Sequence, residues 1–219
     1  MRPPLDTLLT QAPPPNDAAR QRALDAARAE LALRRPVRRW RTQALGLFAV
    51  SAFLTSAVAG VMFGLGRTSG ALLLGRLPLL ALLWACCAVG AWGALAPRTR
   101  WLPLGAAGLA LGTGAALVLS RGSALAPSSL PDWFCTLSHV GVDLVPLAVG
   151  VMLLRGAAFR ASRALVAGLS AGAVGAFVGE LACLQDARHV LVYHLPAWAL
   201  VALVSFGVSR FLSPRSFAP

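Results

Sequence analysis

Apolar residues run almost unbroken in six stretches of this chain, at 43–65, 77–95, 102–119, 137–154, 164–183 and 190–209. A bilayer core of about 30 Å is crossed by roughly twenty helical residues, so each stretch predicts a membrane-spanning helix. The apolar positions are consecutive and do not alternate, which argues against the strands of a barrel. The expected fold is an all-α integral membrane protein, a six-helix transmembrane bundle. A polar segment, 1–42, precedes the bundle and a short polar end, 212–219, follows it.

The leading segment has a pattern of its own. Leu5, Leu8 and Leu9 stand at i, i+3 and i+4, one apolar face of a short helix that Pro13-Pro14-Pro15 breaks. Asn16 or Asp17 then predicts the cap of a second helix that Pro36 stops, with Leu24, Ala27 and Leu31 as a thin apolar stripe. So short a first helix is marginal in water. Its leucines gain order only when another surface covers them, as in a segment that folds on docking into a partner's groove. The plainer reading is a polar lead-in whose arginines set topology and touch anionic headgroups.

Composition agrees with a membrane class and adds an orientation. The chain is 57% hydrophobic and 13% charged, with a mean hydropathy of +0.69, outside the soluble range. Its net charge is +12, and all twenty basic residues are Arg. With the N-terminus inside, the leading segment, the 96–101 and 155–163 loops and the C-terminus hold sixteen of them. Only Arg67, Arg76, Arg121 and Arg188 fall on the other side. The positive-inside rule therefore predicts that both termini are cytoplasmic. Topology absorbs most of the charge, and direct nucleic-acid binding is not expected. Arg76 is expected at the membrane interface, just ahead of the second span.

The candidate chemistry gathers on the non-cytoplasmic leaflet. Asp132-Trp133-Phe134-Cys135, His139 and Asp143 open the fourth span, Glu180, Cys183 and Asp186 close the fifth, and His189, Tyr193 and His194 open the sixth. Cys135, His139 and Asp143 recur every four residues and so share a helical face. Cys135 and Cys183 could form a disulfide, join His139, Asp143 and His194 around a soft or borderline metal, or simply pack while the polar groups bond between helices. Spacing leaves all three open. Cys86-Cys87 reads as mid-bilayer packing. Gly168, Gly172, Gly175 and Gly179 predict a close helix contact, internal or in a homodimer. There is no Walker motif, nucleophile elbow or HExxH, so neither an enzyme nor a bound cofactor is expected. Two rival classes remain: a small transporter or channel, and a membrane redox or metal-binding protein using His139, His189 and His194.

Several of these elements occur together in a known family. Leu5-Asp6-Thr7-Leu8-Leu9, Trp133-Phe134-Cys135, Pro146 with Leu154-Arg155-Gly156, Ala167-Gly168 with Ala171-Gly172, Cys183 and Val192-Tyr193-His194 together resemble the NrsF-like family. These are six-span inner-membrane anti-sigma factors that restrain extracytoplasmic-function sigma factors. Two departures stand out: Ala157-Ala158 follows Gly156 where the family has Ala-Pro, and Tyr193 replaces a Trp. The resemblance implies negative regulation of transcription by a membrane-bound anti-sigma factor. The sigma factor would contact Leu5, Leu8 and Leu9, with Leu24 and Leu31 beyond them. Cys135, Cys183 and His194 would belong to the sensing or stabilising side. The stimulus, whether light, singlet oxygen, metal or redox change, is not written in the sequence.

Overall fold

A computed structural model describes residues 16–33, 40–97, 101–123, 131–155 and 161–211. It contains seven helices, and no strand among the described residues: α1 (Asp17–Leu33), α2 (Trp40–Gly64), α3 (Gly70–Leu95), α4 (Trp101–Leu119), α5 (Trp133–Leu154), α6 (Ala161–Ala182) and α7 (Ala187–Phe211), the last with a π-helical stretch at Val190–His194. Helices α2 to α7 are long and apolar enough to cross a membrane.

Residues 1–38 form a unit of their own, of which α1 is the described part. The side chain of Asn16 accepts from Ala19 N at 2.8 Å, so Asn16 is the cap, and the helix runs to Leu33. Asp25 pairs with Arg28 at 3.3 Å one turn on, in full solvent. Leu24 is 44% exposed. The expected first helix with Leu5, Leu8 and Leu9, and the side chain of Leu31, lie outside the described residues.

Within the bundle, α6 is the axis. Sixteen of its 22 residues are buried, and α2, α3, α4, α5 and α7 all pack against it. Its sequence is rich in Ala and Gly, and small side chains let five neighbours approach one backbone. A Cβ at Gly168 would lie 2.5 Å from Ala202 Cα of α7, and one at Gly172 would run into the Trp198 indole. Gly175 and Gly179 are covered in the same way by Asp143 and His139 of α5. The glycine row is thus an internal helix contact.

The outside of the bundle is the apolar side. Phe53, Leu74, Leu111 and Met152 are 71–77% exposed, whereas Ser51, Thr55, Thr113, Asp143, Ser170 and Glu180 are buried. Where lipid is the solvent, polar groups are driven inward to partners. Ser170 Oγ donates to Cys87 O at 2.8 Å, Ser205 Oγ to Ala164 O at 2.7 Å and Trp198 Nε1 to Leu169 O at 2.8 Å. Cys86 and Cys87 sit in the core with Leu83, Phe177 and Trp198.

Most helices start a few residues earlier than the hydropathy pattern suggests, and α3 starts seven earlier, at Gly70. Ser69 caps it, accepting from Leu72 N at 3.2 Å. Arg76 is therefore not ahead of the span. It lies inside α3, 2.8 Å from the carboxylate of Glu180. A charge lowers local hydropathy and so shortens the predicted span, but here a carboxylate from α6 neutralises it. Arg121, which lies between the third and fourth predicted spans, and Arg163, counted in the 155–163 loop, are buried. Arg163 Nη2 donates to the Ala96 and Pro97 carbonyls at 2.6 and 2.7 Å, satisfying the C-terminal end of α3.

Candidate functional site

One end of the bundle collects the Cys and His side chains. Cys135 lies in the first turn of α5, Cys183 follows the last residue of α6, His189 precedes the π-helical stretch of α7 and His194 ends it. One donor atom from each of these four residues lies within 4.8 Å of the other three. Cys183, His189 and His194 are buried and Cys135 is half-buried. Both cysteines are free thiols.

The π-helical stretch explains how the two histidines meet. They are five residues apart, which on an α-helix turns the second about 140° from the first. In the π conformation, Leu195 N–H bonds to Val190 O, a five-residue step. Residues five apart then lie nearly one above the other. The His189 and His194 rings are accordingly 5.2 Å apart between centroids. Thr136 Oγ1 donates to Tyr193 O at 3.0 Å and ties α5 to this stretch.

Around the cluster, each element is held by a charged side chain. Arg121 Nη1 donates to Cys183 O at 2.6 Å, and its Nη2 meets Glu180 at 2.5 Å. With Arg76, two arginines share one carboxylate, at side-chain exposures of 2% for Arg121 and 1% for Glu180. Asp186 caps the start of α7 by accepting from His189 N at 2.9 Å. Asp132 Oδ1 lies 3.4 Å from His189 Nδ1, while His189 Nε2 and His194 Nε2 have no hydrogen-bond partner. A cleft of about 320 Å³ lined by Asp132, Asp186, Arg188 and His189 leads to the cluster.

Of the five residues singled out by spacing, Cys135, Cys183 and His194 come together here. His139 stacks beside His194 with centroids 4.4 Å apart but is not one of the four grouped donors. Asp143 lies two turns deeper, accepting from Gly175 N at 2.6 Å. It ties α5 to α6. His189 replaces these two in the cluster. Its presence in the same leaflet was legible, but its direction depended on the π-helical stretch. Arg121 and Glu180 had no visible partnership in the sequence, because they are 59 residues apart. Two thiols and two imidazoles can bind a borderline metal or, by oxidation of the sulfurs, become a disulfide.

Over 221 residues, spanning the whole of both chains, the sequence is 55% identical to the carotenogenesis protein CarR of Myxococcus xanthus. No family model matches the chain. No solved structure matches it either.

Proposed function

The chain belongs to the family of the carotenogenesis protein CarR, and from that premise we propose that it is a membrane-anchored anti-sigma factor. Its N-terminal segment captures an extracytoplasmic-function sigma factor at the bacterial inner membrane and keeps it from RNA polymerase. A stimulus at the opposite end of the bundle frees it, and the genes for carotenoid synthesis are then transcribed. The observation that carries this reading is the full-length identity to a carotenogenesis protein in a chain whose remaining bulk is a lipid-facing bundle.

Three further points support it. Helix α1 is an exposed, capped helix with an outward Leu24, available for a partner. The sequence spacing of Leu5, Leu8 and Leu9 is that of a docking face. The arginine count, sixteen against four, also favours cytoplasmic termini.

The test is capture. Wild-type protein in membranes should retain its sigma factor through affinity purification. The double substitution Leu8→Asp and Leu9→Asp should abolish co-purification while insertion stays normal. Unchanged capture by that variant, or an N-terminal reporter active only outside the cytoplasm, would overturn the proposal.

A further inference from the structure

The Cys/His cluster is built for a metal, and we infer that Cys135, Cys183, His189 and His194 hold one zinc ion that fastens the ends of α5, α6 and α7 together. The inference rests on the anti-sigma reading only for its regulatory meaning, since the site itself follows from the geometry.

Number and type of donors come first. Two sulfurs and two imidazoles are a common set for a closed, tetrahedral zinc site. Zinc–sulfur bonds of about 2.3 Å and zinc–nitrogen bonds of about 2.0–2.1 Å place tetrahedral donors roughly 3.3–3.8 Å apart. The four donors already lie within 4.8 Å of one another, so a contraction of about 1 Å, within reach of side-chain rotation, completes the shell.

The surroundings point the same way. His189 and His194 are 6% and 4% exposed, and their Nε2 atoms lack hydrogen-bond partners. Buried polar atoms without partners are costly, and a bound ion removes that cost. Asp132 Oδ1 lies 3.4 Å from Nδ1 of His189, which leaves Nε2 as the nitrogen without a partner. A carboxylate on the far nitrogen of a ligating histidine orients the ring and raises its basicity. The cleft beside Asp132 and His189 supplies an entry path.

Charge selects the ion. Binding replaces two S–H bonds by two Zn–S bonds and releases two protons to the cleft. Two thiolates, two neutral imidazoles and Zn²⁺ sum to zero. A neutral centre is what a site at the end of a membrane bundle requires, because an uncompensated charge there is expensive. A monovalent ion such as Cu⁺ would leave one negative charge.

The consequence is a clasp. Cys135 belongs to α5, Cys183 to the end of α6, and both histidines to α7. Loss of the ion, or oxidation of its two sulfurs to a disulfide by a two-electron oxidant such as a peroxide, would remove the metal link between the π-helical stretch of α7 and α5, leaving the Thr136–Tyr193 bond to hold them. Either event acts on the ends of α5, α6 and α7.

The experiment uses the full-length protein, purified in detergent without chelators. Elemental analysis should give about one zinc per chain. Stripped protein titrated with Co²⁺ should develop thiolate-to-cobalt charge-transfer bands and tetrahedral d–d bands. Cys135→Ser should lose the charge-transfer intensity and the zinc, and Cys86→Ser should keep both. Asp132→Asn, at an exposed position outside the bundle core, should weaken zinc binding about 10- to 100-fold while leaving the cobalt spectrum unchanged in shape. Wild-type protein whose thiols are free yet gives no such bands would overturn the inference. So would thiols at 135 and 183 that react with maleimide only after reduction. Zinc is read on the protein alone, so this outcome is independent of whether the sigma factor is captured.

Discussion

Replacing Glu180 by Gln is the sharpest test of how this bundle is held. Glu180 receives Arg76 from α3 at 2.8 Å and Arg121 from beyond α4 at 2.5 Å. Glutamine keeps the shape and can accept one hydrogen bond, but it cannot neutralise either cation. Arg76, at 20% side-chain exposure, can swing outward to the interface. Arg121, at 2%, cannot. Removing one partner of a buried pair costs about 3–5 kcal/mol, because the other charge is left uncompensated. Arg121 retains the carbonyls of Cys183 and Gln185 at 2.6 and 3.5 Å, which sets the expectation at the lower end, about 3 kcal/mol. That is more than a hundredfold in the unfolding equilibrium, at about 1.4 kcal/mol per tenfold. The assay is unfolding in mixed detergent micelles by SDS titration, followed by tryptophan emission. The double variant Glu180→Leu with Arg121→Met removes both buried charges and should recover most of the loss. The reasoning fails if Glu180→Gln unfolds within about 1 kcal/mol of wild type. It fails equally if the double variant is no more stable than the single one.

Three other substitutions are read by the same titration. Gly172→Val should cost about 1–3 kcal/mol by overpacking, since even a Cβ meets the Trp198 indole, which is fixed by its bond to Leu169 O. Gly207→Ala, with nothing within 4 Å of the added carbon, should be neutral or slightly stabilising. Arg163→Met should cost about 1.5–3 kcal/mol through the Ala96 and Pro97 carbonyls left bare at the end of α3. Its zinc content should not change, because a helix of 22 residues, about 33 Å of rise, separates Arg163 from Cys183.

The candidate site was half legible beforehand. Cys135 and Cys183 were recognisable as outer helix ends, and His194 as a residue of the same leaflet. Helical phase then pointed to His139 and Asp143, because a four-residue period is correct within α5. It failed between helices. Asp143 is used to bind the backbone of α6, and His189 enters through a local change from α to π winding that no four-residue rule contains.

Span number was determined by the sequence alone, because crossing a bilayer depends on a run of consecutive apolar residues within the segment itself. The cap at Asn16 and the glycine row of α6 were equally local. Tertiary structure alone decided that α6 is the central helix and that Arg76 and Arg121 converge on Glu180. It also decided that two thiols and two imidazoles share one volume. Those outcomes depend on how six helices are rotated about their axes, and nearly uniform apolar sequences leave that rotation unspecified until small residues and buried charges find their partners.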